Sequence, residues 1–138
     1  MSVHYSIGPT KNPKGLESVQ YYSPKIKKTS DYDFASLAAD VNNSTTVTYA
    51  DCMAVLTACR TFIEQALLDG RAVILNGLGR FQIGLKTRCF PAETMQAEGF
   101  LASAFIKGAK INFRPESSLK KTIASKISYK RIAGEHDN

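Results

Sequence analysis

Residues 70–85, GRAVILNGLGRFQIGL, constrain this chain more than any other stretch, because within them a helical apolar period gives way to a strand period. Gly70 falls just past the last turn of the helical pattern, where a residue without Cβ takes the left-handed cap conformation at little cost. Asn76-Gly77 is the dipeptide favoured where two successive residues take positive φ, so a tight reversal is predicted there. Beyond it Phe81, Ile83 and Leu85 alternate with Gln82 and Gly84, which predicts a strand with one buried and one wet face.

Upstream, Phe34, Leu37, Ala38 and Val41 share one helical stripe, which predicts a first helix over residues 33–42, capped by Ser30 or Asp31 and ended by Asn42-Asn43-Ser44. A second helix is predicted over residues 50–68, since Thr48 followed by Asp51 approximates a capping box. It carries Val55, Leu56, Cys59, Phe62, Ile63, Ala66 and Leu67, an apolar face wider than one short helix and a small sheet would cover. Two readings follow, a monomer core or a dimer in which two copies of this helix pack across a two-fold axis. We take the dimer, with Val55, Leu56, Cys59, Phe62, Ile63 and Leu67 as its core.

Before these helices, Val3, Tyr5 and Ile7 alternate with polar residues until Gly8-Pro9, and residues 19–22 form a second plausible strand ended by Ser23-Pro24. Lys25, Lys27 and Lys28 then read as a basic linker that is either solvated or touches phosphate. After the hairpin, residues 92–99 have little strand tendency and are too polar for a core, so the segment is expected to be an exposed arm. The chain returns through residues 100–106, passes Lys107-Gly108-Ala109-Lys110 and re-enters the sheet at Ile111 and Phe113. Pro115 suits the first position of a last helix, with Glu116 at the positive end of its dipole and Lys120 and Lys121 facing outward. Tyr129-Lys130-Arg131 is either one more strand or a basic tail.

The net charge of +6 is unevenly distributed. Residues 29–70 hold Arg60 against six acids, whereas residues 71–131 hold twelve Lys or Arg against Glu93, Glu98 and Glu116. That asymmetry points to a half of the chain facing a polyanion. Enzymatic chemistry has little support, because there is no Gly-rich phosphate loop followed by Lys-Ser or Lys-Thr and no histidine in the central region. Cys52, Cys59 and Cys89 form no Cys-x-x-Cys pair, and His4 and His136 lie near the termini, so neither metal nor cofactor is expected. Reduced cytosol is the simpler setting, and no signal core or membrane-spanning run is seen.

The order of helix, GR-V-L-NGLG-F, hairpin, Phe113-Arg114-Pro115 and Lys-rich helix resembles the HU and integration host factor (DNABII) family of bacterial DNA-architectural proteins, and within it the longer Bacteroides-type members with an N-terminal extension. The resemblance spans roughly residues 33–121. It implies an α+β, HU-like fold: a homodimer with a helical base, a β-sheet saddle and an extended β-arm reaching into the minor groove, with extra N-terminal strands. Residues 1–28 would be the extension with short strands and basic linker, 29–131 the DNA-binding domain and 132–138 a disordered tail. Gly77, Gly79 and Phe81 match the Gly-x-Gly-x-Phe turn that shapes the saddle, and Arg114 with Pro115 matches the element that closes it.

The family carries Arg-Asn-Pro at the arm tip, whose proline wedges between base pairs, whereas this chain has Arg88-Cys89-Phe90-Pro91 nearer the sheet, with Glu93 and Glu98 beyond. Modest bending is therefore expected. The implied function is architectural binding of double-stranded DNA with weak sequence preference in the cytoplasmic nucleoid, without enzymatic activity or a membrane. Phosphate contacts are expected from Lys86, Arg88, Lys107, Lys110, Arg114, Lys120 and Lys121, with Pro91 at the tip. The alternative is a protein-interaction or scaffolding module of the same fold, its N-terminal extension pairing with a partner protein's strand.

Overall fold

The structure, a computed structural model, describes residues 1–15 and 19–133. In chain order the elements are β1 (Val3–Thr10), β2 (Tyr21–Ile26), α1 (Phe34–Ser44), α2 (Tyr49–Leu68), β3 (Val73–Leu75), β4 (Gly79–Thr87), β5 (Ile106–Pro115), α3 (Ser117–Lys126) and β6 (Tyr129–Arg131). The strands form two separate sheets, one ordered β2-β1-β6 and the other β3-β4-β5. The fold is mixed α+β, with three helices and two small sheets.

Local capping sets the helix ends. Asp33, rather than Ser30 or Asp31, caps α1: its carboxylate accepts from both the backbone N–H and the hydroxyl of Ser36 at 2.9 Å. These hydrogen bonds hold the Asp33 carboxyl below its ordinary pKa. Asp31 is taken up in an ion pair with Lys28, and α1 runs to Ser44 rather than ending at residue 42. Tyr32 donates its hydroxyl to Asp40, which raises the phenol's pKa. At α2 the Thr48 hydroxyl accepts from the Asp51 N–H at 3.1 Å, as the capping box predicts. At its far end Gly70 has φ +77°, Gly70 N–H donates to the Leu67 carbonyl, and Arg71 N–H donates to the Ala66 carbonyl, both at 3.0 Å. That pair of bonds is a Schellman motif with glycine in the left-handed position.

The hairpin between β3 and β4 turns with positive φ at Gly77 alone, φ +82°, while Asn76 stays on the ordinary side. The expected turn with two positive φ angles is thus replaced by a type II pattern, closed by Leu78 N–H to the Leu75 carbonyl at 2.9 Å. Leu75 pairs with Gly79, so three residues bridge the strands and the torsional demand of a two-residue hairpin is lifted.

The N-terminal strands run further than the Gly-Pro and Ser-Pro signals predicted. β1 continues through Gly8-Pro9 to Thr10, and β2 begins at Tyr21 and passes through Pro24, which sits opposite Ile7. Proline is tolerated there because β2 is an edge strand and its missing N–H faces no neighbour. Lys25 therefore belongs to a strand rather than to a linker. Of the two readings of residues 129–131, the strand is realised: β6 pairs with β1 in parallel, and Ile132 N–H donates to the Tyr5 carbonyl at 2.9 Å. Residues 134–138 of the expected tail lie outside the described residues.

Pro115 is the last residue of β5, opposite Gly79, and Glu116 is the N-cap of α3. The predicted first helical position shifts because Pro115 is held in the sheet and Glu116 N–H donates to the Leu78 carbonyl at 3.0 Å. Among the described residues, the buried hydrophobic side chains are Ala38 of α1 and Cys52 of α2. The wide face of α2 divides into two stripes. Leu56, Ile63 and Leu67 are half-buried, following Cys52 at helical spacing, whereas Val55, Cys59 and Phe62 are exposed. Phe62 is 67% exposed, far more than a single-chain core residue would be.

Candidate nucleic-acid interface

The antiparallel pair β4/β5 organises the site, and its register assigns every side chain to one of two faces. Phe81 opposes Phe113, Ile83 opposes Ile111 and Leu85 opposes Ala109 on the apolar face, where the Phe81 and Phe113 ring centroids lie 4.7 Å apart. On the other face Arg80 opposes Arg114, Gln82 opposes Asn112, Gly84 opposes Lys110 and Lys86 opposes Gly108. Directly opposed residues share a face, so four cations and two amides form one ladder. The two middle rungs are close-set: a Cβ at Gly84 would lie 2.8 Å from the Asn112 side-chain nitrogen and 3.2 Å from the Lys110 Cε.

Like charges directly opposed across strands repel, and Arg80 and Arg114 do so without relief. Among the described residues the ion pair formed is Lys28 with Asp31, and no carboxylate pairs with Arg80, Lys86, Lys110 or Arg114. A ladder of uncompensated cations carries an electrostatic cost that a polyanion would offset.

Gly79 and Glu116 hold the ladder's near end. A Cβ on Gly79 would lie 2.6 Å from the Arg114 carbonyl oxygen, so only glycine allows the two backbones to come this close. The Glu116 carboxylate accepts from the Gly77 N–H and, at 3.1 Å, from the Ser118 hydroxyl, tying the hairpin turn to the start of α3. Gly77, Gly79, Phe81 and Pro115 thus cluster around one end of β4/β5.

Of the residues the sequence singled out, Lys86, Lys110 and Arg114 lie on this face. Lys107 does not join the ladder, since it is the extra residue of a bulge where Lys86 pairs with Gly108 and Thr87 with Ile106. Arg88 is held within the arm: its guanidinium lies 5.3 Å from the Phe105 ring centroid and donates to the Ala104 carbonyl at 3.2 Å. Lys120 and Lys121 are exposed on α3, beyond Glu116.

The arm itself is folded. Residues 92–96 and 102–105 form short 3₁₀ turns, and the returning strand begins at Ile106, ahead of the expected re-entry into the sheet at Ile111. Phe90, Phe100 and Phe105 pack together with centroids 4.5 to 6.0 Å apart, which rewards this compact path over an extended one. Phe90 is thereby half-buried, while Pro91 stays exposed ahead of the first 3₁₀ turn.

Arg80, Gln82 and Asn112 are not among the residues singled out from the sequence. A signal for Arg80 and Gln82 was present, because both share the parity of Lys86 along β4, whereas Asn112 becomes part of the ladder only through the pairing with β5.

A family model described as an HU domain fused to wHTH, Ig, or Glycine-rich motif matches residues 1–131. The chain belongs to the HU-HIG family. The structure of this HU-HIG chain is similar to the crystal structure of a candidate bacterial DNA binding protein from Bacteroides vulgatus, with TM-score 0.61 and 10% sequence identity over 96% of the present chain. The chain spans 49% of that protein's length. No curated protein matches it. Among the described residues, no helix is long and apolar enough to cross a membrane.

Proposed function

We propose that the chain binds duplex DNA as a homodimer with little sequence preference, laying the polar face of β4/β5 along the phosphate backbones as a saddle. The observation that carries this reading is the ladder of Arg80, Arg114, Lys110 and Lys86 with no carboxylate partner among the described residues. Membership in the HU-HIG family supports it, and cations set on a sheet face suit contacts to phosphate, which carry affinity without sequence information. Lys120 and Lys121 add contacts at the flank, and Lys107, Arg88 and Pro91 belong to an arm that bends DNA modestly. In this reading the protein acts in the cytoplasmic nucleoid, without catalysis.

What one chain leaves uncovered supports the dimer. Val55 and Phe62 on α2 and Ile111 and Phe113 on the sheet are each about half exposed or more, a surface too apolar to face water. A second copy packed through Val55, Cys59 and Phe62 of α2 would cover the helical part of it. Light scattering at tens of micromolar should give the mass of two chains. Phe62→Asp should unfold the protein rather than release monomers, because the new charge would be buried without a partner.

DNA binding is tested by fluorescence anisotropy of mixed-sequence duplexes across a salt series. About six phosphate contacts per dimer from the β4/β5 saddle would contribute about −5 to the slope of log affinity on log salt. Arg80→Gln with Arg114→Gln should weaken all duplexes about equally, and a flat salt response would refute the reading.

A further inference from the structure

The three-stranded sheet β2-β1-β6 is two-faced, and its register assigns the sides. Val3, Tyr5, Pro24, Ile26 and Tyr129 lie on one face, and with Ile127, just past α3, they line an apolar groove of about 460 Å³. On the opposite face His4 is level with Lys130 on β6, and the Lys27 N–H donates to the His4 carbonyl at 2.8 Å, carrying the register one step beyond β2. Lys27, His4 and Lys130 therefore form one row across the sheet. The next row holds Ser6 with Lys25.

The stem of Lys25 lies over Gly8, where a Cβ would meet its Cδ at 3.1 Å, and Ser6 in the same row is buried. Aliphatic stems covering small residues leave the ammonium groups at the outer surface. Lys25, Lys27 and Lys130 are exposed, and no carboxylate among the described residues pairs with them, since Asp31 is taken by Lys28. The groove on the other face includes Ile127, the residue that follows α3, so the apolar side is the one against which the end of α3 lies.

We infer that His4, Lys25, Lys27 and Lys130 form a second phosphate-contacting face, separate from the β4/β5 ladder, by which the N-terminal sheet lengthens the track of duplex DNA held by each chain. The inference rests on the DNA reading above and extends it to a part of the chain outside the saddle. Its partner is the sugar-phosphate backbone, because a row of lysines on a strand face offers point charges at strand spacing but no bidentate fork to read base edges. It also accounts for β6, whose pairing with β1 carries Lys130 into the row.

The test is the salt dependence of binding to a mixed-sequence duplex of about 40 base pairs, with the full chain and with Lys25→Gln/Lys27→Gln/Lys130→Gln. Losing three phosphate contacts per chain should make the slope of log affinity on log salt shallower by about 2.7 for each chain bound. Lys28→Gln, whose ammonium is already paired, should leave the slope unchanged. If the triple variant loses its far-UV circular dichroism, Lys130→Gln alone should still make the slope shallower by about 0.9. A wild-type slope retained in the folded triple variant, or in Lys130→Gln where the triple does not fold, overturns the second face alone, because Arg80→Gln/Arg114→Gln reports on the saddle independently. A wild-type chain that binds no duplex overturns the DNA reading and this face with it.

Discussion

Gly79→Ala probes the closest approach in the β4/β5 pair. A Cβ placed there lies 2.5 Å from the Phe113 Cε2 and 2.6 Å from the Arg114 carbonyl oxygen. The ring can turn aside, but the carbonyl is backbone, and restoring ordinary contact at 3.4 Å moves β5 away from β4 by about 0.8 Å. Overpacking of this kind costs about 1–3 kcal/mol, and a shift of that size also stretches adjacent ladder hydrogen bonds, worth about 1 kcal/mol each. The expected loss is about 3 kcal/mol, read by urea denaturation at fixed protein concentration so that dimer mass action does not enter. Gly77→Ala supplies the contrast: its Cβ meets nothing within 4 Å, so its cost is only the left-handed φ, about 1–2 kcal/mol. Because Arg80 and Arg114 are the next rung, Gly79→Ala should also weaken DNA binding. A Gly79→Ala loss smaller than that of Gly77→Ala would refute the packing argument.

Glu116→Ala removes the acceptor that ties the hairpin turn to α3, and because the group is exposed and screened by solvent the loss in urea denaturation should be about 1 kcal/mol, that of an ordinary hydrogen bond rather than a charged one. Asp33 has a depressed pKa because its ionised form accepts from Ser36, so its capping contribution is present above the ordinary carboxylate pKa and is lost as pH falls through the lowered value. Acid titration of stability should show that component in the wild type and not in Asp33→Asn, which keeps a neutral acceptor. Pro91→Ala should change the end-to-end distance of a labelled duplex of about 30 base pairs only slightly, and abolition of strong bending by this change would restore the wedge.

What was legible in the sequence was local. Thr48 before Asp51 and Gly70 after the helical period fix the ends of α2 through hydrogen bonds spanning a few residues, and the alternation after Gly79 fixes which side chains of β4 share a face. What was not legible depends on partners far along the chain. Pro24 reads as a strand stop until β2 is known to be an edge, and Pro115 reads as a helix start until its pairing with Gly79 holds it in β5. The same holds for the site. Lys86 and Arg114 stand out as charges, but Asn112 becomes part of a ladder only through its register with Gln82, and Lys107 leaves it only because a bulge falls there.

The arm shows how such long-range packing changes chemistry as well as shape. Read as a string, Arg88-Cys89-Phe90-Pro91 offers a cation and an apolar wedge side by side. Folded, the ring of Phe90 is spent on Phe100 and Phe105, and the guanidinium of Arg88 is shared between the Phe105 face and the Ala104 carbonyl. Unstacking a base step costs a few kcal/mol, which an inserted side chain must offset together with whatever phosphates the bent duplex brings within reach of the protein. To insert Phe90 the tip would first forfeit its aromatic packing, about 0.5–1.5 kcal/mol for each ring pair. To donate fully to a phosphate Arg88 would give up its carbonyl. Both costs add to unstacking rather than offset it, and Glu93 beside them repels the backbone being bent. On the proposed DNA reading, the balance favours a tip that rests against the duplex as a folded cap, with the ladder on β4/β5 expected to supply most of the affinity.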